Sequence, residues 1–293
     1  LYLNGLFSII FTILPLLLRR INLVSKSIPC IIAPRGMFSQ NALKLKFVKK
    51  KLFLILAKLI GLYKNIIFHA SNNYEKKDIY MHLNDNKAMV FVAPNLTSVS
   101  TIKQNKIKVK KKSFLRLVFL SRIDPMKNLD FLLQCLLKVN NSIELSIYGN
   151  KQNETYYRQC LDLKDKLPAN IKVFFKGFIK NELIKKTLVK YDLFVLPSRG
   201  ENFGHVILES LAAGVPVLVS NKVFWQSDKK GGIQTLPLNR KKWTEVIRNW
   251  SNFNYKTLYK KKIVALNVAQ KYNNENQALK KNKELLKYAF NAQ

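Results

Sequence analysis

An alternation of short apolar runs with longer helical stretches does most to limit what this chain can become. Apolar runs stand at 28–33 (IPCIIA), 65–69 (NIIFH), 88–92 (AMVFV), 115–120 (LRLVFL), 143–148 (IELSIY), 171–175 (IKVFF), 192–196 (DLFVL) and 215–219 (VPVLV). Between them, segments near 7–20, 40–63, 73–83, 128–139, 153–166, 180–190 and 204–213 carry helical spacing. Parallel strands need a long crossover, and a helix supplies it, so this order predicts doubly wound parallel sheets in an α/β fold. From about 240 the chain reads as helices only, ending in KNKELLKYAF, which is expected to pack back across a domain. The 293 residues suffice for about two domains of ordinary size. The stretch TSVSTIKQNKIKVKKKS (97–113) is polar, basic and aperiodic, which reads as a linker. The expected division is a first domain over 1–100, a linker over 101–113, a second domain over 114–275 and a closing helix over 276–293.

Charge narrows the function classes. Lys and Arg number 51 against 17 Asp and Glu, a net charge of +34. Such a balance raises nucleic-acid binding as a class. Nine of the cations are arginines and 42 are lysines, however, and base or phosphate readout favours the bidentate arginine fork. With no recognition motif, no specific nucleic-acid partner is expected, and attraction to an anionic membrane surface is the better account. Around 40–63, Lys44, Lys46, Lys49, Lys50, Lys51 and Lys58 stand among Leu, Phe and Ile. That segment reads either as a core helix with a solvated lysine face or as an interfacial helix on anionic lipid.

Three cysteines, Cys30, Cys135 and Cys160, lack metal-ligand spacing and read as reduced thiols of a cytoplasmic protein. The histidines His69, His82 and His205 form no ligand cluster with them, and no D-x-D stretch offers a divalent metal a carboxylate seat. No metal and no cofactor is therefore expected. The apolar run 6–18, LFSIIFTILPLLL, is too short for a standard membrane span, is interrupted by Pro15 and has no small-residue cleavage site after it.

The chemistry concentrates in PSRGENFGHVILESLAAGVPV, 197–217. A strand ends at Pro197, a loop follows, and a helix opens near Gly204 and His205. In open α/β sheets ligands bind at the carboxyl ends of strands. A helix start presents free N–H groups and a positive dipole end, which suit a phosphate. Glu201 lies in the loop and Glu209 along the helix, and carboxylates accept well from vicinal hydroxyls of a sugar or ribose. Taken alone, the E-x7-E pair reads rather as a turn charge and a solvated helix position, and it is the surrounding sequence that favours a ligand site. Upstream, LRLVFLSRIDPMKNL (115–129) runs a strand into Ser121, Arg122, Pro125 and Lys127 before a helix. Two cations at such a turn can neutralise a diphosphate leaving group, or can simply be surface cations in a cation-rich chain. Arg35 and Gly36 follow the run 28–33, where Arg35 could meet an acceptor phosphate or serve as an ordinary loop arginine. His69 and His205 are expected to be structural, and Trp225 and Trp243 to build core.

Five segments in this order, FLSRIDPMKNLDFLL, LSIYGN, VFFKGFI, PSRGENFGHVILESLAAGVPVLVS and the Glu201/Glu209 pair, resemble the donor-binding domain of the retaining glycosyltransferases of family 4. APRGMFSQNALKLKFVKKKL (33–52), FHASNNYEKKDI (68–79) and VAPNL (92–96) are similar to the later part of that family's N-terminal domain. The resemblance implies a GT-B architecture, two Rossmann-like parallel-sheet domains facing a cleft. It also implies transfer from a UDP- or GDP-linked sugar, with retention and without metal, to a growing cell-surface glycan of lipopolysaccharide, capsule or exopolysaccharide type. The acceptor is a glycan or a lipid-linked one, and the enzyme works at the inner face of the plasma membrane. Arg122 and Lys127 match the cations that hold the donor diphosphate, Glu209 the acid on the ribose, and Glu201 the acid facing the donor sugar. The backbone of Asn202, Phe203 and Gly204 matches the segment against sugar and phosphate. Where ENFGH-type relatives often carry an acid soon after the next strand, this chain has Asn221. About three strands are expected before the linker and no glycine-rich turn before residue 28, so the N-terminal domain is expected to be incomplete. Two other functions compete with transfer: a non-catalytic remnant that binds nucleotide-sugar, and a basic nucleic-acid-binding protein.

Overall fold

Every strand pairing among the described residues is parallel. The computed structural model describes residues 1–39, 43, 47–83, 88–96, 100–103, 107, 114–201, 203–274 and 277–291. The chain falls into two units, Leu1–Leu96 with Asn276–Gln293, and Thr97–Glu275. Most of the linker expected at 101–113 lies outside the described residues; Ile107 is buried and the Ile102 amide donates to the Ala212 carbonyl.

In the second unit the strands are β5 (Leu115–Leu120), β6 (Ile143–Tyr148), β7 (Ile171–Gly177), β8 (Leu193–Leu196), β9 (Val217–Ser220) and β10 (Ile233–Leu236). They lie in the order β10-β9-β8-β5-β6-β7. Numbered within the unit, this is the Rossmann order 3-2-1-4-5-6, which reverses between β5 and β8. Two interior strands of the sheet, β8 and β9, are buried at every position. This is the signature of a sheet covered on both faces. Two sets of helices supply the cover. Leu129–Leu136 packs on Glu154–Asp165 and Arg240–Ser251, and His205–Ala212 packs on Asn181–Leu188 and Tyr255–Asn274. The first of these helices buries Leu129, Leu132, Leu133 and Leu136, each such side chain stabilising the fold by about 2 kcal/mol.

At the amino ends of β5 and β8, Arg116 forms a two-pronged pair with Asp192 (2.6 and 2.9 Å). Lys262, buried beneath it, donates from Nζ to the Tyr191 carbonyl.

The first unit has four strands, β1 (Tyr2–Asn4), β2 (Ile31–Ala33), β3 (Ile67–Ala70) and β4 (Met89–Val92), in sequence order. The expectation of about three was short by β1. Three residues with a single buried position carry no readable period. Strand β10 was missed too, because an edge strand with one fully buried residue looks like loop. The helix expected at 7–20 opens with π-helical turns over Ile9–Ile13 before Leu14–Arg20. Of the segment 40–63 the described helix is Phe47–Leu59; Lys44 and Lys46 lie outside the described residues. The closing helix, Gln277–Asn291, belongs to this first unit. Its Leu285 and Ala289 cover Ile31 and Ile67, and the Asn282 amide donates to the Pro94 carbonyl (2.8 Å).

Candidate active site

The reversal between β5 and β8 opens a crevice at the carboxyl ends of those strands, and the loops that follow them are bound to each other. Lys127, from the loop after β5, is 7% exposed, and its ammonium pairs with the Glu201 carboxylate from the loop after β8. Backbone and side-chain bonds fix the same two loops. The Arg199 amide donates to the Met126 carbonyl (2.8 Å), the Asn128 Nδ2 donates to the Pro197 carbonyl (3.0 Å), and the Arg199 Nε donates to the Asn128 Oδ1 (3.0 Å). Asn128 adopts a left-handed conformation (φ 62°), which asparagine tolerates better than most residues. Asp124 turns the first loop by accepting from the Met126 amide (2.9 Å) and the Lys127 amide (3.2 Å). Arg122 stands 3.7 Å from the Asp124 carboxylate, with its side chain 60% exposed. An exposed guanidinium and a fixed ammonium thus sit on one loop.

Glycines let the backbones close in. Gly149, after β6, has φ 146°, and a Cβ there would lie 1.8 Å from the Ser121 carbonyl oxygen. Only a glycine lets the ends of β5 and β6 meet this closely. Gly204 opens the helix His205–Ala212 at φ 72°, and a Cβ on it would meet Ile207 at 2.7 Å and Glu201 at 3.1 Å. The Glu201 backbone is itself held, its amide donating to the Lys222 carbonyl (3.2 Å). Phe203 is buried among Phe224, Trp225 and Tyr272, and the Trp225 Nε1 donates to its carbonyl (2.7 Å). Trp225 thus holds the segment 203–204 from beneath, a positioning role that sequence reading reduced to core. Asn202 lies outside the described residues.

Glu209 is half-buried on the helix that Gly204 starts, and its carboxylate makes no hydrogen bond or ion pair among the described residues. Burial without a partner pushes its pKa above the ordinary carboxylate value. Such a group gains from any ligand that donates hydrogen bonds to it. The structure thus joins Lys127 to Glu201 and sets Gly204 beside Glu201, while Arg122, Phe203 and Glu209 lie on the same two strand–loop–helix segments of the second unit. At the departure noted above, the Asn221 amide donates to the Leu236 carbonyl (2.8 Å), which holds β9 and β10 together.

Arg35 and Gly36 belong to the other unit. The Arg35 guanidinium donates to Asn4 (3.2 Å), the Tyr2 hydroxyl (3.0 Å) and Asn95. The Gly36 amide donates to Glu75 (2.5 Å), whose other oxygen accepts from the Ser71 amide and hydroxyl. Tyr2 also bonds His69 (2.5 Å), and the other ring nitrogen of His69 meets the Ala93 carbonyl (2.7 Å). This polar network ties the strand ends of the first unit together. Tyr2 and Glu75, its anchors, carried no sequence signal. Among the described residues no three His, Cys, Asp or Glu side chains are grouped as metal ligands. Among them, too, no helix is long and apolar enough to cross a membrane.

Comparison with known proteins agrees with this geometry. The family model described as glycosyl transferases group 1 matches residues 100–228, which contain both switch-point loops. A glycosyltransferase of Methanocaldococcus jannaschii is 34% identical over 107 residues, 36% of this chain and 27% of that protein. The chain spans about a quarter to a half of the length of the curated relatives it matches, 27%, 34% and 47%. Among solved structures, Anabaena HepE in complex with UDP-glucose covers 98% of this chain and 78% of its own, with TM-score 0.71 and 14% identity. WaaG, a glycosyltransferase involved in lipopolysaccharide biosynthesis, covers 85% and 73%, with TM-score 0.60 and 14% identity. The fold is of GT-B type, with two Rossmann-like parallel-sheet units, and residues 100–228 are similar to the glycosyl transferases group 1.

Proposed function

We propose that the chain is a glycosyltransferase that takes a sugar from a nucleoside-diphosphate donor and passes it, with retention, to a growing cell-surface glycan or lipid-linked acceptor. The observation that carries this reading is the pairing of the two switch-point loops through Lys127 and Glu201, beside the helix start at Gly204 and the unpartnered Glu209. The ribose hydroxyls donate to Glu209 and lower its raised pKa. The diphosphate lies against the amides of Phe203 and Gly204, where the helix dipole favours negative charge, with Asn202 continuing that segment. Lys127 and Arg122 neutralise the charge that grows on the leaving phosphate, and their placement costs little reorganisation because Lys127 is already held. Glu201 faces the donor sugar and keeps Lys127 in position until the phosphate takes over its ammonium.

In the transfer step the acceptor oxygen bonds to the anomeric carbon on the face that the phosphate leaves. The bond from that carbon to the phosphate oxygen breaks, and the acceptor proton passes to the departing oxygen. No protein nucleophile and no bound metal enters this scheme. The UDP and UDP-glucose in complexes of HepE support a UDP-linked donor here, with GDP as the second choice. The role of WaaG supports a lipopolysaccharide-type acceptor. Free, buried Cys30, Cys135 and Cys160 fit a cytoplasmic setting.

The test is a thermal-shift titration with UDP, GDP, ADP and their sugar conjugates, since binding to the native state raises Tm by mass action. UDP or UDP-sugar should raise Tm, and Glu209→Ala should lose most of the rise. If no nucleotide moves Tm, or if the variant responds as the parent does, the donor site is misassigned.

A further inference from the structure

Two helices of the first unit turn apolar stripes toward solvent. Along the turns Ile9–Ile13 and Leu14–Arg20 and the cap residue that follows, Ile10, Leu14, Leu17 and Ile21 form an exposed stripe at spacing i, i+4, i+7, i+11, with Ile9 and Phe11 also exposed beside its start; Ile10 is 67% exposed. The helix Phe47–Leu59 repeats the pattern with Val48, Leu52, Ile55 and Leu59, the last 77% exposed. Each helix also has an inward side, Leu16 on one and Ala57 on the other, in the core of the unit. A helix that packs on a core needs one apolar face, and these have two. The helices are neighbours: the Phe7 ring meets Phe53 at 5.7 Å, and the Arg20 Nε donates to the Ile60 carbonyl (2.9 Å).

The charge around these stripes has one sign. Residues 1–74 contain eleven Lys and Arg and no Asp or Glu. Lys49, Lys51 and Lys58 are exposed beside the second stripe, and the Lys50 ammonium lies 5.2 Å above the Phe7 ring. A second copy would bring an equally cationic face against this one. A nucleic acid would match the charge and leave the aliphatic stripes unmatched. An anionic bilayer matches both, taking the aliphatic side chains into its acyl boundary and the lysines among its phosphates.

We infer that helices 9–20 and 47–59 form a docking face by which the first unit lies on an anionic lipid bilayer. Membrane attraction then has a place on the molecule, rather than being spread over the whole surface, and it does not depend on the transferase reading. The geometry asks for shallow insertion of both stripes.

The experiment is vesicle flotation of the nuclease-treated full chain, with phosphatidylglycerol-containing vesicles against pure phosphatidylcholine. Three variants keep the inward faces intact: Leu17→Ser with Leu52→Ser; Lys49→Gln, Lys51→Gln and Lys58→Gln together; and Lys229→Gln, Lys241→Gln and Lys256→Gln on the other unit as a charge control. All should melt as the parent does. Binding to anionic vesicles should exceed binding to neutral ones at least tenfold. The triple change beside the stripe should weaken it by about a hundredfold, at roughly fivefold per cation. The serine pair should weaken it at least tenfold, and the control by no more than about twofold. Equal losses in the control and in the stripe variant would overturn the assignment, as would indifference to the serine pair. A dimer in solution that the serine pair dissociates, without vesicle binding, would give the face to a second copy and also overturn it.

Discussion

Gly149→Ala is the sharpest test of how the proposed donor crevice is built, because the structure contains its own control. Gly149 and Gly177 end neighbouring strands and both have positive φ, 146° and 71°. Their amide and carbonyl are even bonded to each other (2.8 Å). An alanine at either position carries the backbone strain, about 1–2 kcal/mol. At Gly177 the added methyl meets nothing within 4 Å. At Gly149 it falls 1.8 Å from the Ser121 carbonyl oxygen, 2.7 Å from the Ser121 carbonyl carbon and 3.3 Å from the Arg122 nitrogen. These are backbone atoms and cannot rotate away, so the strand end must move by about 1 Å or more, at a further cost of about 1–3 kcal/mol. For a unit of this size each kcal/mol shifts Tm by about 2–4 °C. Gly177→Ala should therefore lower Tm by a few degrees, and Gly149→Ala by about twice as much. The displaced segment carries Arg122 toward or away from the donor phosphates. Nucleotide affinity should accordingly fall at least tenfold in Gly149→Ala and stay within twofold in Gly177→Ala. Differential scanning fluorimetry with and without UDP reads both effects. Equal Tm losses, or equal affinities, would show that the approach of β6 to the loop after β5 does not shape the site.

Two other expectations follow from buried polar groups. Burial depresses the Lys262 pKa from 10.5 to about 8, while the Asp192 carboxylate opposes the shift. Between those values the unfolded chain binds the extra proton, so this group makes stability rise with pH across about 8 to 10.5, by roughly 3 kcal/mol in all. Lys262→Met should equal or exceed the parent in urea midpoint at pH 7 and lose that advantage by pH 10; a difference that does not change with pH would contradict the burial of a charged lysine. Trp225→Phe keeps the ring packing but leaves the Phe203 carbonyl without its donor, at a cost of about 1–3 kcal/mol. It should raise the donor KM several-fold more than it lowers kcat, and an unchanged KM would remove Trp225 from the support of the Phe203–Gly204 segment.

What the sequence revealed and concealed has a physical pattern. Strands β5 to β9 and the helices between them were legible because each carries a local pattern: β8 and β9 are continuous apolar runs buried throughout, β7 alternates, and the helices each turn one apolar stripe inward. The residues proposed to meet the donor were legible because they sit at or just after strand ends, in loops and a helix start whose turn chemistry is local. Contacts that bridge distant segments were not. Nothing near Lys127 announces that its ammonium meets Glu201, 74 positions away. Lys262 looks like one more solvated lysine until the helix Tyr255–Asn274 is seen to turn it into the protein. The Tyr2–His69–Arg35 network draws on three strand ends, one of them the short β1, which no local pattern marks.

The membership of Gln277–Asn291 in the first unit also sets the order in which the protein can be completed. Synthesis delivers β1 to β4 before the second unit, yet the faces of Ile31 and Ile67 wait for Leu285 and Ala289, which are made after it. The second unit, continuous from 97 to 275, has by then left the ribosome with all its strands. Domain by domain folding from the amino end is the usual sequence. Here the unit begun first is finished last, and until then an apolar sheet face stays uncovered. A growing chain therefore acquires its switch-point crevice before its first unit is sealed.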